Sequence, residues 1–512
     1  MGSIHHHRLK SILSVIVSIS LLTGCQKTPL EQLSCNIESL QSIVNSQNIG
    51  SNLDVSINID GSDSMLGYVT TPNSNYMKTI ELIANSIIER DNVKIEYRRI
   101  GESQPLTKTR FRQDATSPIF YNSNDDTYKP ITSPIQSVIT SPVEGREKLT
   151  IIVTDLEGDD AGKVFEALSK NYFDRNKQDY TVGVWAVKSQ FNGTVFNPNT
   201  GKAQFLYNTE GKSSEFYRPF YVLFIGQYEQ IAGYFDELKK LDSQLDDYSE
   251  MFIFPTQNIV MKNPINLGNL QARENNSQLP ENNQLLRVFT LSDRDVIVNT
   301  EDAINEPYEL FSINNIEPTL NINYQVPFPS IKNLKGGNYA LSIDENNLIT
   351  ETKLYTFNPQ NQVQQSSIET SESEEKEDSE TINNEEENNQ TNETEKQLFA
   401  INSSGSLKQG LTIKDLKLDQ ENQTLQFTTN INVNNLPNPQ IYLFEVDLIL
   451  DDLTGKDWWT EWSAVGGNND GSKTQNLSIF MNKLKSLNLK TLSQNENDPV
   501  IGRFCFAVQK AE

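Results

Sequence analysis

The stretch VSINIDGSDSMLG, residues 55–67, decides the fold. Val55, Ile57 and Ile59 alternate with polar neighbours as a strand requires, Asp60 follows the last of them, and Ser62 and Ser64 come at further steps of two. A strand with that ending delivers one carboxylate and two hydroxyls to one point beyond its carboxyl end. Such a set of hard oxygens suits Mg²⁺ or Mn²⁺. The flanking chain repeats the pattern of an α/β sheet. Residues 75–90 place Met77, Ile80, Ile83, Ala84, Ile87 and Ile88 on one helical face, and Val93, Ile95 and Tyr97 then alternate as a strand. The run LTIIVTD (149–155) reads as a central strand covered on both faces and ending in Thr154-Asp155. A helix beginning at 163–168, a buried strand VGVWAV (182–187), a last strand PFYVLFIG (219–226) and a last helix over 228–241 complete the series. Ligands of such sheets bind at the carboxyl ends of the strands, where Asp60 and Asp155 fall.

The Asp-x-Ser-x-Ser spacing resembles the metal-ion-dependent adhesion site of von Willebrand factor type A domains, and the alternation resembles their Rossmann-like fold over residues 51–260. The resemblance implies a mostly parallel sheet flanked by helices and a site of five ligands: Asp60, Ser62, Ser64, a threonine from a second loop and the strand-end Asp155. Thr132, in Pro-Ile-Thr-Ser-Pro before a helix starting near Ile135, is the candidate threonine, with Thr127 and Thr116 in the same long loop. The implied cofactor is Mg²⁺, or else Mn²⁺ or Ca²⁺. The implied chemistry is recognition without turnover, in which an Asp or Glu of a protein or extracellular ligand fills an open position on the cation. Two departures stand out. Asp63 occupies a place where the family often has glycine, and the usual TDG is here TDLEGDD, with Glu157, Asp159 and Asp160 close behind. Extra carboxylates favour the looser, larger shell of Ca²⁺. The same three residues also suit a plainer role, capping a turn and a helix.

Composition narrows the alternatives. The only histidines are His5, His6 and His7, all in the first 24 residues. Arg8 and Lys10 precede an apolar run over 12–22 that ends Leu22-Thr23-Gly24-Cys25, which reads as a secretory signal (1–24) closing in a bacterial lipobox. Cys25 would then be the lipidated first residue of a mature chain without histidine, which excludes histidine-based hydrolysis and histidine zinc sites from it. A metal-dependent hydrolase remains the weaker rival, because a cation can activate water. The haloacid-dehalogenase pattern DxD is missing, since Ser62 stands at its second acidic place. The net charge of −25 becomes −27 without the two signal cations Arg8 and Lys10, which argues against nucleic acid as a partner. The reading is a cell-envelope protein held on the extracytoplasmic side of a membrane by its lipid anchor. In a cell with two membranes the anchor is the outer one, because Gln26 supplies no inner-membrane aspartate signal. Residues 25–50 link anchor to domain, with an amphipathic helix expected over 30–44. Cys35 and Cys505 either pair as a disulfide or remain as two buried thiols.

Beyond residue 260 helical periodicity fades. Alternating runs at 286–291, 295–298, 320–326, 339–343 and 348–357 suggest an antiparallel sandwich in a β-rich region 261–359. A low-complexity tract follows at 360–397, in which residues 369–396 carry twelve acids against Lys376 and Lys396, a net −10 over 28 residues. So little apolar surface cannot offset ordering entropy, and the tract reads as a solvated spacer or insertion. Strand patterns return at 411–416, 424–432, 441–450 and 500–508 in a second β-rich region, 398–512, which the insertion reading joins to 261–359 in one sandwich. Trp458, Trp459 and Trp462 read as packing between a strand end and a helix over 477–487, with an aromatic platform for sugars as the other use. A structural envelope lipoprotein whose A-like fold binds no metal is the competing reading of the whole.

Overall fold

The computed structural model describes residues 52–86, 92–121, 128–129, 131, 134–157, 161–173, 179–197, 200–260, 265–266, 284–291, 296–297, 308–313, 316–328, 337–357, 399–419, 422, 424–466, 469–492 and 499–510. Cys25, Cys35, Thr127, Thr132, Asp159, Asp160, the helix expected over 30–44 and the acidic tract lie outside them.

The first region contributes strands β1 (Leu53–Ile59), β2 (Val93–Arg99), β3 (Glu147–Thr154), β4 (Tyr180–Ser189), β5 (Asn192–Phe196), β6 (Ala203–Asn208), β7 (Arg218–Gln227) and β8 (Ser249–Ile253). Its longer helices are α1 (Asn75–Asn85), α2 (Lys108–Asp114), α3 (Ala161–Asn171) and α4 (Tyr228–Leu241). Six strands form one sheet in the order β2-β1-β3-β7-β4-β8, and β5 pairs with β6 as a separate hairpin. Leu53, Val55, Ile57 and Ile59 of β1 are buried on one face of this sheet, as their alternation requires. On α1 the helical stripe buries Ile80, Ile83 and Ala84, and the Ser74 side chain caps its first turn by accepting from the Met77 amide at 3.3 Å.

The sheet is mixed, which corrects the expectation of a mostly parallel one. β1 runs parallel to β2 and β3. β7 is antiparallel to both β3 and β4, and β8 is antiparallel to β4. The physical reason lies in the connection. Among the described residues no crossover helix separates β4 from β7, only the β5–β6 hairpin and a short turn at Ser214–Phe216, so the chain returns beside β4 in the opposite sense. Nine of the ten residues of β7 are buried. Such side chains gain about 2 kcal/mol each on burial, which favours a central place over an edge. PFYVLFIG is therefore not the last strand: β8 follows it as an edge, with Glu250 exposed.

The second region supplies β9 (Ile265–Asn266), β10 (Gln284–Leu291), β11 (Val296–Ile297), β12 (Tyr308–Ile313), β13 (Thr319–Pro327), β14 (Leu348–Phe357), β15 (Phe399–Asn402), β16 (Leu411–Asp419), β17 (Thr424–Asn432), β18 (Ile441–Leu450), β19 (Ser463–Ala464), β20 (Thr474–Gln475) and β21 (Val500–Lys510), with α5 at Leu477–Leu492. One sheet runs β11-β10-β12-β21-β18-β14-β15, with β9 also on β21, and β13-β17-β16 forms a second. The run expected as a strand at 339–343 is instead a short 3-10 turn (Gly337–Tyr339), followed by a single bridge from Ala340 to Ile253. β13 alternates buried and exposed along its whole length, and its buried Tyr324 stacks on Phe427 of β17 at 5.1 Å and meets Phe506 of β21 edge-on at 5.8 Å. The two sheets thus share a core. Strands from both sides of residues 358–398 alternate in them: β13 pairs β17, β14 pairs β18 and β12 pairs β21.

A turn at Trp458–Glu461 joins the two regions. Trp458 and Trp459 are buried, and they pack against Phe252 of β8, Phe254 just after it and Tyr221 of β7. α5 lies beside α3, with Phe480 against Phe165 at 5.0 Å. These tryptophans are packing residues of the junction.

Candidate metal centre

Asp60 stands one residue past β1 and Asp155 one residue past β3, on adjacent parallel strands, so both arrive at the same edge of the sheet. Both are buried, at 4% and 1% exposure. Asp60 Oδ1 accepts from the Ser62 amide at 3.0 Å and from Ser62 Oγ at 2.6 Å, and Ser62 Oγ lies 3.0 Å from Ser64 Oγ. The two serines are half-buried, at the start of the 3-10 turn Asp63–Tyr68. The second carboxylate oxygen of Asp60 accepts from Thr154 Oγ1 at 2.8 Å. Thr154 is thereby the residue that sets the orientation of Asp60. Its hydroxyl also accepts from the Leu156 amide at 3.1 Å, tying together the ends of two strands.

Asp155 is the unbalanced member. Its Oδ1 accepts from the Glu157 amide at 3.1 Å, while Oδ2 has no hydrogen-bond partner among the described residues. Burial, together with the negative charges of Glu157 and Asp60 and against the opposing Arg218, raises its pKa to about 7. Between Asp155 and Glu157 the backbone turns through Leu156 at φ 58°, a left-handed conformation that costs a residue with a side chain of order 1 kcal/mol. Glu157 is turned inward by that bend. Its carboxylate lies 2.6 Å from Arg218 of β7, and both side chains are sealed from solvent. At that distance the opposite charges attract strongly in a buried setting. Burial works against the Arg218 charge, and Glu157, Tyr68 and Asp155 outweigh it, leaving its pKa raised.

Arg99, the last residue of β2, organises the other side. It is 1% exposed and donates to the carbonyls of Gly61 (2.9 Å), Phe120 (3.0 Å) and Lys129 (3.0 Å), with Glu102 as its ion-pair partner at 2.8 Å. A side chain at position 61 would meet Arg99 Nε at 2.3 Å, so the glycine is required by the approach of the guanidinium rather than by backbone freedom.

The sequence-derived set divides as follows. Asp60, Ser62 and Ser64 are joined by hydrogen bonds, and Asp155 lies beside them at the end of the adjacent strand. Thr132 and Thr127 fall outside the described residues. Thr116 donates to the carbonyls of Arg112 and Gln113 at the end of α2 and is half-buried. Asp63 is exposed, unlike Asp60 and Asp155. Cys25 and Cys35 are outside the described residues, whereas Cys505 of β21 is buried and disulfide-bonded. Thr154, Arg99 and Arg218 are the residues that the spacing alone did not reveal. Among the described residues no three carboxylate, cysteine or histidine side chains are grouped to hold a metal ion, so a cation here would depend on hydroxyls for half of its four described donors. That mixture of two carboxylates and two hydroxyls fits a hard divalent ion. No protein-family model, curated protein or solved structure gives a significant match to this chain.

Proposed function

We propose that the chain is an envelope-anchored binding protein whose von Willebrand factor A-like domain holds Mg²⁺, or Mn²⁺ or Ca²⁺, through Asp60, Ser62, Ser64 and Asp155, and captures a carboxylate of a protein or extracellular ligand on that ion. The observation that carries the reading is the buried, unpartnered Oδ2 of Asp155 beside the hydrogen-bonded Asp60-Ser62-Ser64 group. A buried carboxylate oxygen without a partner is costly, and a cation at that point would balance it. Two neutral hydroxyls leave the ion less neutralised than four carboxylates would, so it would retain attraction for an anionic group of the partner. Thr132 remains the proposed fifth ligand, and the lipidated Cys25 the proposed anchor.

A second reading has its own support. Asp60 and Ser62 build an Asx turn that satisfies itself, and the same turn recurs at Asp470 and Ser472, where Asp470 Oδ1 accepts from the Ser472 amide at 2.9 Å and from its hydroxyl at 2.6 Å. On that reading the region is a structural cap and the protein an envelope scaffold. Calorimetric titration of the full chain with Mg²⁺, Mn²⁺ and Ca²⁺, alongside an Asp60→Ala variant, separates the two. The binding reading expects one saturable site that the variant loses, and absence of binding to the unaltered chain would overturn it.

A further inference from the structure

We infer that the loop at residues 469–474, in the second region, is a positioning element of the candidate metal centre, acting on Asp155 through Arg218 and Glu157. The inference rests on the cation-binding reading of that centre and names what regulates its affinity.

The path is continuous and buried. Glu157 stands two residues after Asp155, supplies the amide that Asp155 Oδ1 accepts, and pairs with Arg218. Arg218 in turn donates from Nη1 to the carbonyl of Gly471 at 2.9 Å, with its guanidinium over the Phe191 ring at 5.1 Å. A second tether runs beside it, from Tyr221 Oη to Thr474 Oγ1 at 3.0 Å. The antiparallel sense of β7 makes this possible, because its first residues, and not its last, lie at the carboxyl end of β3. The loop is itself fixed. Its Asp470–Ser472 turn closes one end, and at the other β20 pairs with β19 and leads through Asn476 into α5. At Gly471 the backbone has φ 94°, and an added side chain would lie 2.3 Å from the Tyr207 ring. Only glycine leaves the carbonyl where Arg218 receives it.

The consequence is a dependence between two regions of the chain. If the loop withdraws, Arg218 loses its acceptor and the Glu157 carboxylate loses its fixed counter-charge, so the bend through Leu156 that presents Asp155 loses its support. Because Glu157 and Arg218 are both sealed from solvent, neither has water as a ready substitute.

Cation affinity and folding, measured together, test this. Full-length Gly471→Ala and the charge-neutral pair Glu157→Gln/Arg218→Met are titrated with Mn²⁺ by calorimetry, with circular dichroism and thermal melting on the same samples. Lys353→Met, on β14 in the larger sheet of the second region, where Lys353 pairs with Glu445 and Asp447, serves as the control for general destabilisation. The inference expects about a tenfold loss of Mn²⁺ affinity in Gly471→Ala and in the pair variant, and none in Lys353→Met. By reciprocity, saturating Mn²⁺ raises the melting temperature of the unaltered chain more than that of either variant. Unaltered affinity in both folded variants overturns the inference, as does an equal loss in Lys353→Met. A native chain that binds no Mn²⁺ overturns the underlying cation reading instead, so the two failures are distinguishable. If Gly471→Ala does not fold, the pair variant alone decides.

Discussion

At the scale of single residues, the centre is a balance of buried charge. Asp155 carries a pKa of about 7 in the folded chain against an ordinary value of 3.8, chiefly through burial. A raised carboxylate pKa means that folding favours the protonated form. The stability this contributes is complete below about pH 4 and is lost as pH rises through 7, a swing on the order of 4 kcal/mol. In the presence of a chelator, urea unfolding should therefore show the chain less stable at pH 8 than at pH 5, and Asp155→Asn should remove most of that difference. An unchanged pH profile in the variant would show that Asp155 is not the group responsible. The sequence made Asp60, Ser62, Ser64 and Asp155 legible because a strand period and a strand end fix where such residues go. Thr154, Arg99 and Arg218 were opaque for a physical reason. Each is defined by a partner 38 to 253 residues away (Gly61 and Gly471 are the partners of the two arginines), and no local pattern marks a buried arginine in advance. Asp63 proved to be an exposed residue of the 3-10 turn, unlike the buried Asp60 and Asp155.

Among the elements, apolar periodicity located β1, β2, β3, β4 and β7 and the helices α1, α3 and α4, because both faces of those segments have distinct packing demands. Strand direction was beyond it. A buried strand reads the same in either sense, and among the described residues only the missing crossover helix between β4 and β7 marks the reversal. Short strands of four to six residues were also missed: β8 and β15 at sheet edges, and β12 between β10 and β21, are too short to leave a periodic run. The Trp458–Glu461 turn shows how one element carries load between regions. Trp459 packs on Phe252 at 5.4 Å and Phe254 at 6.3 Å, with 3% exposure. Trp459→Ala should cost about 3–5 kcal/mol, read as a lowered urea midpoint with near-native circular dichroism. A loss below 1 kcal/mol would mean that the junction closes without it.

For the molecule as a whole, the acidic tract leaves and re-enters the fold at one rung. Phe357, the last residue of β14, pairs directly with Phe399, the first of β15. Replacing 358–398 by a four-residue turn should therefore preserve the fold and add up to about 2 kcal/mol of stability from cheaper loop closure, measured by urea unfolding; a cooperative transition lost or lowered would show that the tract contributes contacts. The same rung has a colloidal consequence. Among the described residues β15 is the terminal strand of its sheet, four residues long, with Ile401 62% exposed, and such a strand edge is a template for another copy of the chain. A segment of net −10 enters at that edge, so two copies approaching edge to edge must bring like charge together. The shortened chain should be the more stable molecule and the less soluble one, with light scattering rising at concentrations where the full chain stays monodisperse.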